Sequence, residues 1–172
     1  MTNYKKAIIY EMKELAKLPK TIFLGQQVAS ENFYNTLTGI SMKKRWEMPV
    51  AEDMQTGIAI GLALEGYLPV SIYQRMDFLP RACDQLVNHL DIIKELSQGK
   101  YNPKVIIRTT VGSTTPFDVG LQHNKDLVKG FKNLFRNILV VPVKTVKQVH
   151  EAYLHARCDK EPTMIIEYQD LY

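Results

Sequence analysis

The chain has 172 residues, a length suited to one domain around one core. Hydrophobic residues make up 45% and charged residues 23%, a globular composition that excludes a disordered or low-complexity chain. No apolar run nears the ~18 residues that a bilayer crossing needs, Met1–Lys20 lacks the apolar core of a signal peptide, and the net charge of +4 is spread along the chain, so we expect a cytoplasmic protein that binds neither membrane nor nucleic acid.

The predicted elements follow in chain order. A 3.6-residue period marks a helix over Tyr4–Leu18. Thr21–Leu24 reads as a strand, and Gly25–Met42 as a long loop with a mobile centre. Arg45–Met48 is a second strand, followed by a helix over Ala51–Leu64 rich in Ala, Ile, Leu and Gly. Next come a strand at Pro69–Tyr73 and a long amphipathic helix at Phe78–Leu96. A strand at Val105–Thr109 leads into the loop Val111–Asn124. The last part reads as helix Leu127–Leu134, strand Ile138–Val143, helix Val146–Arg157 and strand Thr163–Glu167. Several strands are unbroken apolar runs, as in sheets covered on both faces. Strands alternating with helices imply an α/β three-layer sandwich with a mostly parallel central sheet. Both long loops follow the C-terminal ends of strands, the usual ligand edge of such a sheet.

Few residues stand out for chemistry. Glu52 heads a helix whose stretch Met54–Ala63 carries no charge. It is either a capping acid favoured by the helix dipole or a buried functional carboxylate, and Asp53 beside it is a second capping candidate. His123, in a glycine-containing loop, is either solvated or functional. Gly112 and the hydroxyl residues after it can form an anion nest, although they match neither phosphate-loop signature. Cys83 and Cys158 are isolated, without a Cys/His cluster, so no zinc site is expected. These residues alone do not name a reaction.

A resemblance supplies one. The stretches FLGQQVA (Phe23–Ala29), MPVAEDMQTGIAIGLALEGYLPV (Met48–Val70), DFLPRACDQLVNH (Asp77–His89), PKVIIRTTVG (Pro103–Gly112), GLQHN (Gly120–Asn124), ILVVPV (Ile138–Val143) and EPTMIIEYQDLY (Glu161–Tyr172) resemble the pyrimidine-binding domain of the transketolase superfamily. The nearest likeness is to beta subunits of 2-oxo-acid dehydrogenases. The implied fold is the thiamine-diphosphate-binding fold, with residues 1–172 as one pyrimidine-binding domain.

The resemblance assigns roles. In that family a glutamate hydrogen-bonds N1′ of the aminopyrimidine of thiamine diphosphate, so that the ring can take the proton from thiazolium C2. Glu52 matches it. Phe78 matches the aromatic residue that packs on the pyrimidine, and Gln74 and Arg75 lie on the loop of further pyrimidine-edge contacts. His123 matches a histidine that faces the substrate, here in GLQHNK without the usual Ser-Gln. Gln26 stands where the family has a glutamate of the polar network between paired sites, and joins the cofactor-binding candidates. The helix Phe78–Leu96 corresponds to one at a subunit interface.

The GDG motif of the diphosphate-binding domain is absent from these residues. The resemblance therefore implies a split enzyme in which an alpha-type partner subunit supplies the Mg²⁺ and diphosphate site, in a hetero-oligomer with two copies of this chain. The small-molecule substrate is a 2-oxo acid or a ketose. The alternatives are a transketolase-type sugar enzyme subunit and a catalytically silent stabilising subunit.

Overall fold

The computed structural model describes residues 1–172. Six strands form a single parallel sheet in the order β2-β1-β3-β4-β6-β5. They are β1 (Thr21–Gly25), β2 (Arg45–Glu47), β3 (Leu68–Tyr73), β4 (Ile106–Val111), β5 (Leu139–Pro142) and β6 (Thr163–Tyr168). The helices are α1 (Asn3–Lys17), the short turn α2 (Asn32–Asn35), α3 (Glu52–Leu64), α4 (Ile93–Leu96), α5 (Val128–Leu134) and α6 (Val146–Cys158). Every predicted strand is present. No helix is long and apolar enough to cross a membrane.

Two apolar layers cover the sheet. On one face α1 and α6 bring Ile8, Met12, Leu15, Val149 and Tyr153 onto Phe23, Val70, Ile106 and Ile165. On the other, α3, α5 and the segment 76–96 bring Ala59, Leu79, Leu86 and Phe131 onto Leu24, Ile107, Met164 and Ile166. Neighbouring strand residues thus serve opposite layers, as a period of two requires. Side-chain caps fix the starts of α1 and α6: Thr2 accepts from the Lys5 amide and Thr145 from the Gln148 amide.

The sequence and the structure differ in three places. The expected helix Phe78–Leu96 is three pieces. Met76–Ala82 is tightly wound around Pro80, Asp84–Leu90 is wound wide, and α4 is a separate turn. Proline lacks the N–H that a regular helix would use. The wide segment ends with the Asp91 amide donating to the Leu86 carbonyl. Asp91 itself is buried and accepts from the amides of Arg136, Asn137 and Ile138, which locks this turn to the start of β5. Second, the centre of the 25–42 loop is anchored, since Phe33 and Leu37 are fully buried in the core. Glu47 holds its start by accepting from the amides of Gln27, Ala29 and Ser30. Third, neither Glu52 nor Asp53 caps α3. The cap residue is Ala51, which makes no side-chain bond, and the two acids lie in the first turn.

Beneath the loop lies a buried ion pair. Arg108 of β4 donates through Nε and Nη2 to the two oxygens of Glu167 on neighbouring β6, at 2.9 and 2.8 Å. Tyr153 donates to one of those oxygens at 2.6 Å, and Tyr172 donates to the other. The Phe33 ring lies over the guanidinium, its centroid 4.8 Å from the central carbon. Burial, and then the Glu167 charge, raise the phenol pKa values of Tyr4, Tyr153 and Tyr172 above 10.0.

Candidate functional site

The strand order places the site. From β1 the chain passes to β2 on one side, then returns through α3 to β3 on the other side of β1. The crevice outside the C-terminal ends of β1 and β3 is thus a topological switch point, where ligands bind open α/β sheets. Gln26 follows β1 and Gln74 follows β3 at that edge. Gly25 makes the approach possible. Its φ is +152°, and a Cβ there would stand 2.2 Å from the Ile72 carbonyl oxygen.

A narrow slot opens at this edge, lined by Gln26, Glu52, Gln55, Tyr73, Gln74 and Phe78. Four of the five residues expected at the site therefore share one cavity. Gln55 was not predicted. It lies three positions after Glu52, the spacing that puts two side chains on one helix face, and that spacing is the signal by which it can be found. Its Nε2 donates to Ser71 Oγ and to the Ile72 carbonyl, both at 3.0 Å. The Thr56 hydroxyl donates to the Glu52 carbonyl at 2.7 Å and shares a 2.5 Å hydrogen bond with the Tyr73 hydroxyl. The Gln74 carbonyl accepts from Thr110 at 2.5 Å.

Glu52 is the unusual member of this group. It is 3% exposed. Its Oε2 is buried without a hydrogen-bond partner. Arg81 Nε lies 3.2 Å away, but from an angle that makes an ion pair and no hydrogen bond, and the arginine is 70% exposed. A buried carboxylate oxygen left without a donor costs on the order of 1–3 kcal/mol or more. The Glu52 carboxyl lines the slot together with Phe78, a pairing that suits an aromatic ring whose edge nitrogen shares a proton with the acid.

His123 sits on the far side of Phe78. The two rings meet edge to face with centroids 5.8 Å apart, and the histidine Nδ1 lies 3.2 Å from the Val119 carbonyl oxygen. It does not line the Glu52 slot. It lines a second, wider pocket that shares Gln74 and Phe78 with the slot. Gly112 allows the loop to pass here, because a Cβ on it would stand 1.9 Å from the His123 carbonyl oxygen. The hydroxyl run after Gly112 does hold an anion, but the anion is internal. Asp170 accepts from the amides of Thr114 and Thr115 and from the hydroxyls of Ser113 and Thr114. These bonds outweigh its partial desolvation and hold its carboxyl below the usual range.

Burial pushes the Tyr73 phenol up to about 12, against its hydrogen bonds with Ser71 and Thr56. With Tyr4, Tyr153 and Tyr172 it keeps its proton in the folded state after an unfolded tyrosine has lost it. The stabilisation is complete below pH 10.0 and is lost as pH rises from there, through about 12 for Tyr73. The urea midpoint is expected to fall steeply above about pH 10, by up to about 1.4 kcal/mol per pH unit for each retained proton. Denaturation at stepped pH, with tyrosinate absorbance recorded in parallel, measures this. A flat alkaline profile would contradict the burial of these phenols.

A family model described as "Transketolase, pyrimidine binding domain" matches residues 2–172. The chain belongs to the transketolase pyrimidine-binding domain family. Among curated relatives, the pyruvate dehydrogenase E1 component subunit beta of Cyanidium caldarium is 28% identical over 126 residues, covering 73% of this chain and 38% of that protein. The mitochondrial pyruvate dehydrogenase E1 component subunit beta of Ascaris suum is 22% identical over 165 residues, covering 93% and 45%. The 3-methyl-2-oxobutanoate dehydrogenase subunit beta of Mycobacterium tuberculosis is 25% identical over 162 residues, covering 89% and 44%. The chain thus spans less than half the length of these relatives. A solved structure described as "Split gene transketolase, inactive beta4 tetramer" superposes with a TM-score of 0.69 at 19% identity, over 97% of this chain and 50% of that one. That likeness establishes the fold of this pyrimidine-binding domain, an all-parallel α/β sandwich.

Proposed function

We propose that this pyrimidine-binding domain is the proton-handling half of a split thiamine-diphosphate enzyme that cleaves or forms a carbon–carbon bond beside a carbonyl of a 2-oxo acid or ketose. The observation that carries the reading is the buried Glu52 carboxyl, with no hydrogen bond at Oε2, lining one slot with Phe78. An aminopyrimidine fits this donor set. Glu52 would hold the proton at ring nitrogen N1′, Phe78 would pack on the ring, and Gln26 and Gln74 would meet its polar edges. When bound, thiamine diphosphate supplies the nucleophilic carbon at thiazolium C2. The apolar flank of α3 keeps water from Glu52, so that the carboxyl would share its proton with the ring instead of with solvent. His123, beyond Phe78, faces the side from which a substrate would approach.

The diphosphate and Mg²⁺ would be held by a partner subunit carrying the GDG motif, in an assembly with two copies of this chain, the simplest closed arrangement. The description of the curated relatives as beta subunits supports such a division. So does the description of the similar solved structure as a split-gene transketolase. The expected compartment is the cytoplasm.

Calorimetry tests the division of labour. Thiamine diphosphate with Mg²⁺ is expected to bind this chain alone weakly and without metal dependence, and to bind tightly once a diphosphate-binding subunit is added. Full Mg²⁺-dependent affinity in the isolated chain would overturn the split-site reading.

A further inference from the structure

The wider pocket beside the slot has a volume of about 400 Å³ and opens to solvent. Its walls include Tyr34, Gln74, Phe78 and His123, and Arg75 is the one Lys or Arg side chain among its lining residues. Arg75 is half-buried and forms no ion pair with any carboxylate of the chain. Its Nη1 donates to the Tyr34 hydroxyl, and its guanidinium carbon lies 5.5 Å from the Tyr34 ring centroid. Its Nε is buried with no acceptor. Arg108 is matched to Glu167 and Arg157 to Glu11, whereas Arg45, which also lacks a carboxylate and has a buried Nε without an acceptor, lies away from this pocket and spends its donors on Asn32 and the Val28 carbonyl. A guanidinium that has lost water without gaining a carboxylate is destabilising by itself. An arginine fork of this kind matches the paired oxygens of a carboxylate or a phosphate.

We propose that Arg75 is the specificity residue of the substrate pocket and binds the oxyanion end, carboxylate or phosphate, of a small carbonyl substrate. The proposal deepens the preceding reading and rests on it for the word substrate. Tyr34 holds the guanidinium from one side and leaves its remaining donors for the ligand. Gln74 and Phe78, shared with the Glu52 slot, form the wall against which the carbonyl end of the same molecule lies. His123 closes the opposite side through its contact with Phe78. Glu31 is the only acid lining the pocket. It is exposed at the rim, where water screens its charge, and it does not pair with Arg75.

The test uses the full chain without cofactor, so its result is independent of proton exchange at C2. Pyruvate, inorganic phosphate and the neutral analogue pyruvamide are titrated separately, while NMR follows the His123 ring and the Arg75 side chain. At least one anion is expected to give saturable shifts, and pyruvamide none over the same range. Pyruvate alone identifies a carboxylate site, and phosphate binding at least as tightly identifies a phosphate site. Arg75→Met should weaken the anion about tenfold or more, the effect of losing a charge-assisted hydrogen bond. Arg75→Lys, which keeps the charge and loses the fork, should fall between. Circular dichroism confirms that both variants are folded, and Arg75→Lys decides the matter if Arg75→Met is not. No saturation by either anion, equal binding of pyruvamide, or unchanged affinity in the variants would overturn the proposal.

Discussion

Glu52→Gln is expected to reduce exchange of the thiazolium C2 proton, in the complete cofactor-bound assembly, by at least about 10²-fold, the low end of what a positioned acid or base contributes. Glutamine keeps the size of the side chain and can still touch a ring nitrogen, but it cannot share the proton. The same substitution should leave the isolated chain as stable as before, or more stable. Glu52 is buried with one oxygen lacking a donor, and its single charged neighbour is an arginine that is mostly in water. Removing that charge removes a desolvation cost. Loss of exchange with a retained or raised melting temperature is the signature of a residue kept for chemistry at some expense to the fold. Proton exchange at the normal rate in Glu52→Gln would instead favour a catalytically silent, stabilising subunit.

The second large effect concerns the fold. Arg108 and Glu167 are both fully buried, joined by two hydrogen bonds, with tyrosines completing the glutamate. Arg108→Met is expected to destabilise the chain by about 3–5 kcal/mol, because Glu167 is then a buried charge without its counter-ion. The double variant Arg108→Met with Glu167→Leu should recover most of the loss, since an apolar pair of similar volume avoids both desolvation costs. Urea unfolding of the two single variants and the double variant measures the coupling. Additive losses would show that the pair is not one unit. The network also supports the site. Tyr172 and Phe33 bind it to the chain end and to the 25–42 loop, and Thr110, two residues after Arg108, holds the Gln74 carbonyl.

Much of this was legible in the sequence for a local reason. Unbroken apolar runs such as Val105–Thr109 and Thr163–Glu167 can be satisfied only by strands covered on both faces, so the parallel sheet followed from the pattern. The segment 78–96 reads as one helix because its periodicity is helical, while Pro80 and the Asp91 clamp, a contact with residues some 45 positions later, break the winding.

Glu52 shows the limit most clearly. Its residue type, its place at the head of an uncharged helix and its resemblance to a family glutamate were all readable along the chain. That it caps nothing, that one of its oxygens has no hydrogen-bond donor, and that Gln55 and Phe78 share its slot depend on where β1 and β3 end beside α3. The same holds for Arg75, whose lack of a carboxylate partner is a fact about three-dimensional neighbours. The sequence by itself determined the strands, most of the helices and the layers, because these depend on periodicity, and its resemblance to a family singled out Glu52 as the candidate acid. Only the tertiary structure decided which polar atoms were satisfied and which were left without a partner, because hydrogen-bond satisfaction is settled by contacts between distant segments.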